Sequence, residues 1–226
     1  MNCVFCCSPK IIRFEIRNKV YGYCSSCGGY FLDNRFFLSP KEQKERYLLH
    51  DNSLENQGYR QFLKKFLDFS LPFIKEKDVI LDYGSGPNPA LTLLLEEYKR
   101  ENLISSTVSC HFWDPFFAPD NELVKANIIL CLEVAEHFEN PLQDFKKLAD
   151  FCLPDGFIVI GTQCVSSDLT HEKFKNWWYK EDATHVSFYS KKALQKCAES
   201  VGLELLKQEN ESYFVLRKTT DFSKIN

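Results

Sequence analysis

From Asp78 onward, short apolar runs alternate with longer amphipathic stretches, and this pattern leaves few folds open. The runs are Val79–Tyr83, Val108–Trp113, Ile128–Glu133, Phe157–Thr162, Leu203–Lys207 and Tyr213–Arg217. Between them, Leu91–Arg100, Leu142–Leu153 and Lys191–Val201 have helical spacing, and Gly202 ends the last of them. Strands separated by helices must cross over, so an α/β class with a largely parallel sheet is expected. Only about 20 residues separate Trp113 from Glu133, too few for a helix, a strand and a return. One βα unit there, the third, is expected to be truncated.

The 226 residues allow one sizeable core and a small appendage. With 44% hydrophobic and 26% charged residues and no apolar stretch of about 18, the chain reads as an ordinary globular protein without a membrane segment. No cationic segment leads into an apolar one near the N-terminus, so a cytoplasmic, reducing setting is expected. A formal net charge of −3 argues against a nucleic-acid partner held through its phosphates.

In a reducing setting the cysteines need another explanation than disulfides. Cys110, Cys131, Cys152, Cys164 and Cys197 lie in or beside apolar runs, where a thiol behaves as a small hydrophobe. The others cluster. Cys3-x-x-Cys6, seventeen residues, then Cys24-x-x-Cys27 has the spacing of a zinc site. Four thiolates would complete a closed tetrahedral shell with no position for substrate, so the zinc would be structural and Cys7 spare. Lys10–Tyr23 between the knuckles mixes β-branched and aromatic residues with charges, as in a two-stranded ribbon turning at Asn18. The expected organisation is a zinc ribbon over 1–38, linking helices over 39–77, the sheet domain over 78–218 and a frayed tail over 219–226. Ser39-Pro40 starts the first linking helix, expected to run to about His50, and apolar residues from Tyr59 to Phe69 mark the second. A Cys3→Ser or Cys27→Ser change is expected to unfold 1–38 and leave much of the sheet domain intact.

The first strand runs into Asp82-Tyr-Gly84-Ser85-Gly86-Pro-Asn88-Pro89. Glycines at this carboxyl edge let backbone approach a ligand closely, although Pro89 stands where a dinucleotide fingerprint has its third glycine. The second strand ends in Asp114, a carboxylate able to accept both hydroxyl hydrogens of a ribose diol. The third ends in Glu133-Val-Ala-Glu136-His137.

Taken together, LDYGSGP, WDPFF, LEVAEHFENP, LPDGFIVIGT and DATHVSFYS resemble the class I S-adenosylmethionine-dependent methyltransferases, particularly a bacterial branch with an N-terminal four-cysteine motif. The resemblance covers nearly the whole chain and implies a Rossmann-like methyltransferase sheet. It implies that Asp82, Gly84, Ser85 and Gly86 hold the methionine part of S-adenosyl-L-methionine, Asp114 its ribose, and Glu133 to His137 the transfer site. Where the family has glycine this chain has Asn88, which is expected to narrow the cofactor groove.

Residues 165–190 are dense in aromatic and histidine side chains, and Trp177, Tyr179, Asp182, Thr184, His185, Val186, Phe188 and Tyr189 match a pattern that covers the active site in the resembling family. This stretch is expected to act as a lid, with the His185 imidazole facing the cleft. Tyr179, His137 and His185 are the catalytic candidates, either histidine serving as base for an acceptor that enters protonated. Tyr47, His50, Asn52 and Tyr59 on the linking segment are further candidates for the cleft wall. The function expected is methyl transfer to a small-molecule acceptor. Alternatives are an RNA or protein methyltransferase that uses the ribbon for recognition, and a binding protein that keeps the fold without catalysis. A catalytically dead relative would be expected to lose the strand-end acids, yet Asp82, Asp114 and Glu133 are all present.

Overall fold

The structure, a computed structural model, describes residues 2–49, 52–166 and 170–219; His50 and the tail beyond 219 lie outside them. Its larger sheet contains β4 (Val79–Tyr83), β5 (Ser109–Trp113), β6 (Ala126–Leu132), β7 (Cys152–Gly161), β9 (Leu203–Glu209) and β10 (Tyr213–Lys218), in the order β5-β4-β6-β7-β10-β9. The first four are parallel, and β10 is antiparallel to both neighbours. This is the Rossmann-like methyltransferase fold. From β5 the chain reaches β6 through a loop with neither a helix nor an added strand, which is the truncated unit the spacing required.

Alternation along the strands decides which side chains meet which helices. Leu81, Ile129, Cys131, Ile158, Ile160, Phe214 and Leu216 face one core with α4 (Pro141–Phe151) and α6 (Lys191–Glu199). Ile80, Ile128, Leu130, Val159 and Val215 face the other, against α2 (Gln57–Ser70) and α3 (Ala90–Arg100). The scattered cysteines Cys131, Cys152, Cys164 and Cys197 are buried, as a small hydrophobe should be. The helix expected to reach Leu153 stops at Phe151. The chain enters β7 early through an irregular stretch in which Asp155 has φ 60° and a Cβ on Gly156 would lie 2.7 Å from the Asn127 carbonyl oxygen.

At the N-terminus, β1 (Ile11–Ile16) and β2 (Lys19–Cys24) form the hairpin. Arg17 and Asn18 both have positive φ, at 47° and 65°, the backbone twist that suits a two-residue turn between right-twisted strands. Two further strands escape sequence reasoning. β3 (Tyr30–Leu32) pairs with β2, and β8 (Ser187–Phe188) adds to β3, so the aromatic stretch completes the ribbon's sheet. The helix α1 (Pro40–Tyr47) opens on a Ser39/Glu42 capping box and stops three residues short of His50.

The ribbon also shares a core with the larger sheet. Phe5, Cys27 and Phe31 pack in one cluster with Tyr189, Ala193 and Cys197, and the Ser190 hydroxyl at the start of α6 bonds the Cys27 carbonyl. Residues 3–31 therefore cap one end of that core. Among the described residues, no helix is long and apolar enough to cross a membrane.

Candidate active site

A cleft of about 960 Å³ opens at the carboxyl ends of β4, β5 and β6, where chain order reverses about β4 and open α/β sheets bind ligands. Its floor is the turn after β4. Gly84 and Gly86 have φ 79° and 70°, and a Cβ on Gly84 would stand 2.6 Å from the Val134 side chain, so the first glycine is required by both backbone and space. The Gly84 amide donates to the Trp113 carbonyl at 2.8 Å, and the Gly86 amide donates to Asp114 at 2.9 Å. Asp114 also accepts from the Phe116 and Phe117 amides at 2.8 and 3.0 Å. One carboxylate thus sets the shapes of both loops that wall this end of the cleft.

Gly84, Ser85, Gly86 and Asp114 all line the cleft. The Ser85 hydroxyl is buried without a protein partner. Asp82 is set behind the wall, where its carboxylate accepts from the Thr92 hydroxyl at 3.1 Å. Burial pushes this carboxyl up to about 7. Asn88 does not narrow the groove as expected; its side-chain amide turns to the Asn52 carbonyl at 3.0 Å.

The opposite wall follows β6. Glu133, at φ 52°, is a non-glycine residue in left-handed geometry, a strain that recurs at functional sites. Burial, and then the neighbouring Glu136, push the Glu133 carboxyl well above the usual carboxylate range. The Tyr179 hydroxyl stands 3.4 Å from Glu133 Oε2 and 3.2 Å from Thr162 Oγ1. Glu136 is fully buried: its Oε2 accepts from the Thr162 hydroxyl at 2.7 Å, and its Oε1 has no hydrogen-bond partner. His137 Nδ1 lies 3.0 Å from the Thr184 carbonyl, and His185 Nδ1 lies 2.6 Å from the Tyr179 carbonyl. Since a carbonyl only accepts, both Nδ1 atoms carry hydrogen, and in the neutral ring it is Nε2 that offers a lone pair. The two rings meet edge to face at 4.8 Å.

All three catalytic candidates, His185 among them, therefore line one cleft with the glycine turn. The segment carrying His185 and Tyr179 is held by Asp182, which pairs with Arg46 of α1 at 2.8 Å and caps the Thr184 amide at 3.0 Å. Burial alone would push the Asp182 carboxyl up, but the Arg46 and Thr184 contacts outweigh it and hold it well below the usual range. Tyr47, Asn52 and Tyr59 line the cleft too, with Tyr47 edge-on to His137 at 5.2 Å. The buried partner Thr162 and the Arg46 clamp were missed, because nothing local to either residue marks it. Trp178 also lines the cleft, whereas Phe174 faces away from it, stacking on Tyr30 of β3 at 4.2 Å and packing edge-on against Tyr21 and Phe188.

The four cysteine sulfurs of the ribbon converge. Cys3 Sγ and Cys27 Sγ are 3.6 Å apart, Cys6 Sγ and Cys24 Sγ 3.7 Å, and all four lie within 4.8 Å of one another. These separations are too long for a disulfide and match the ~3.8 Å edge of a tetrahedron with ~2.3 Å metal–sulfur bonds. The contact with Cys27, and then the Phe5 amide donating to Cys3 Sγ at 3.4 Å, favour the Cys3 thiolate against its burial.

Residues 55–208 match the model of a family described as a methyltransferase domain. No curated protein matches the sequence. Among solved structures, the Burkholderia thailandensis 1,6-didemethyltoxoflavin-N1-methyltransferase, with bound 1,6-didemethyltoxoflavin and S-adenosylhomocysteine, is 11% identical with a TM-score of 0.53; the match covers 92% of this chain and 99% of that one. An O-methyltransferase family 2 protein from Planctomyces limnophilus is 13% identical with a TM-score of 0.48, over 71% of this chain and 61% of that one. At such identities the likeness is one of fold.

Proposed function

The chain belongs to the methyltransferase-domain family, and from that premise we propose that it transfers the methyl group of S-adenosylmethionine to a small-molecule acceptor, with a structural zinc in its ribbon. The observation that carries this reading is the meeting, in one cleft, of the glycine turn, Asp114 and the Glu133–His137 wall.

The residues present fit the cofactor. The Gly84–Gly86 turn and the unpartnered Ser85 hydroxyl would receive its amino-acid end, and Asp114, with acceptor capacity left after three amides, its ribose. Asp82 acts from behind the turn, and Phe116 and Phe117, in the loop that replaces the truncated βα unit, supply an apolar wall. Bound there, S-adenosylmethionine supplies a methyl group on a good leaving group, released as S-adenosylhomocysteine. The protein's part is then to hold an acceptor atom in line with that group and keep water away, which can supply up to about 7–11 kcal/mol in favourable systems. Trp178, Tyr179 and His185 would close the acceptor side, and the Nε2 atoms of His137 and His185 can take a proton from an acceptor that arrives with one.

A small acceptor is favoured because the cleft is walled by buried aromatic and acidic groups and the net charge is −3. The Burkholderia enzyme, which binds a small heterocycle, has the same fold over nearly its whole length. Four thiolates at tetrahedral separations with no free position support a zinc that holds structure alone.

Calorimetry with S-adenosylhomocysteine tests the reading. Wild type should bind, and Asp114→Ala should weaken binding by about 1.5–3 kcal/mol through loss of charge-assisted hydrogen bonds. Equal affinities would remove the ribose assignment, and preference for a nicotinamide cofactor would overturn the function.

A further inference from the structure

We propose that Glu136, His137 and His185 form a binding site for a divalent first-row transition-metal ion on the acceptor side of the cleft, distinct from the ribbon's four cysteines. With both Nδ1 atoms taken up by backbone carbonyls, the groups left to hold an ion are Glu136 Oε1 and the two imidazole Nε2 atoms. The candidate ligand atoms lie within 4.8 Å of one another. Each neutral ring, with its proton on Nδ1 bound to a backbone carbonyl, presents Nε2 as a ligand atom. Glu136 Oε1 is fully buried without a hydrogen-bond partner, and its nearest imidazole nitrogen, His137 Nε2, is 4.0 Å away, beyond hydrogen-bond range.

A buried carboxylate oxygen without a partner is costly, and a cation between it and two neutral imidazoles satisfies all three. No cationic side chain already occupies the neighbourhood: Glu133 and Tyr179 flank the cluster, and among the described residues no lysine or arginine pairs with either glutamate. The outer contacts are those of a built site, because histidine ligands usually donate their other ring nitrogen to a carbonyl or carboxylate and the ligating carboxylate is itself hydrogen-bonded. Here those partners are the Thr184 and Tyr179 carbonyls and the Thr162 hydroxyl. Ligand atoms ~2.1 Å from one ion stand roughly 3.0–3.4 Å apart, so binding requires small side-chain rotations about these anchored contacts.

Two imidazoles and one carboxylate suit Zn²⁺, Fe²⁺, Co²⁺ or Mn²⁺ and leave coordination positions open toward the cleft. Resting on the methyl-transfer reading, the consequence is a hydroxyl-bearing acceptor. Its oxygen would coordinate the ion and, with both Nε2 atoms engaged as ligands in place of the base role, lose its proton to water. The metal-held oxygen then forms the new carbon–oxygen bond as the methyl carbon–sulfur bond breaks and its electron pair passes to sulfur.

The test uses wild-type protein with its ribbon already loaded with zinc. Titrated with Co²⁺ alone, it should bind one further equivalent and show d–d absorption without a thiolate charge-transfer band. Glu136→Gln, which keeps shape and the Thr162 contact, and His185→Ala should each weaken that binding by roughly 100-fold or more, at or above the loss seen when outer partners are removed. Anomalous scattering from wild-type crystals soaked in Mn²⁺ serves if a variant misfolds, and a peak between Glu136 and His185 is expected. A peak absent there, no binding beyond the ribbon, or Co²⁺ affinity unchanged in well-folded variants would overturn the proposal. S-adenosylhomocysteine binding is measured on the same samples: metal without nucleoside binding removes only the methyl-transfer reading, and nucleoside without metal binding removes only the metal site.

Discussion

Asp82 and Asp114 lie at one sheet edge and use their carboxylates in opposite ways. Asp114 satisfies three backbone amides and so fixes two loops, whereas Asp82 meets only Thr92, by its hydroxyl and its amide, in a buried setting. Burial pushes the Asp82 carboxyl up to about 7, so the folded state prefers it protonated. Its contribution to stability is complete below the unfolded carboxyl value near ~3.9 and is lost as the pH rises through about 7. Asp82→Asn removes this titration. Relative to wild type, the variant should gain stability between pH ~4 and ~7, by no more than about 4 kcal/mol, and hold that gain above. Denaturant unfolding of both proteins across this range checks it, and a pH-independent difference would mean that the carboxylate is solvated.

At the scale of elements, the stretch from Thr170 to Ser190 performs two tasks at once. Phe174 and Phe188 are buried against the ribbon's Tyr21 and Tyr30, while Tyr179 and His185 turn into the cleft. The lid and hydrophobic-cluster readings of this stretch therefore describe different residues of it. Phe174→Ala should destabilise by about 3–5 kcal/mol, seen as a lowered unfolding midpoint, because a fully buried ring stacked at 4.2 Å on Tyr30 leaves a cavity. His185→Ala should instead lower kcat by roughly 100-fold while leaving S-adenosylhomocysteine affinity nearly unchanged, since it touches the acceptor side alone. Tyr179→Phe keeps the ring and removes the hydroxyl beside Glu133 and Thr162, so it should follow His185→Ala. A proportional loss of cofactor binding and thermal stability in these two variants would make the segment packing alone.

At the scale of the molecule, the ribbon and the larger sheet are joined by a shared core, by the Ser190 bond to Cys27, and by β8 on the ribbon's sheet. The expectation that Cys27→Ser would leave most of the sheet domain intact gives way to a different one. Calorimetry should show one transition, shifted down for the whole chain, because melting 3–31 exposes the core that α6 and Tyr189 also line. Two separated transitions would restore the picture of an independent unit. Elemental analysis of protein dialysed without chelator should find about one tightly held zinc per chain, as a closed four-thiolate shell requires; iron, or no metal, would refute the ribbon assignment.

The sequence alone determined what depends on neighbours along the chain. A short apolar run placed β4 at Val79–Tyr83, and glycines marked the turn at 84–86 because left-handed backbone next to Val134 admits little else. Two knuckles marked the four cysteines because a two-residue gap turns both sulfurs to one point. Even Asp114, His137 and His185 were legible as residue types at strand and loop ends. What tertiary structure decided is what depends on partners distant in the chain. Asn88 turned out of the groove because its partner is the Asn52 carbonyl, and β3 and β8, of three and two residues, carry too little periodicity to be seen apart. Which nitrogen of each histidine faces the cleft depends on the carbonyls of Thr184 and Tyr179, and the unpartnered oxygen of Glu136 exists only because Thr162, 26 residues away, occupies the other. Hydrogen-bond partners of buried groups are assigned by folding, and no local pattern encodes them.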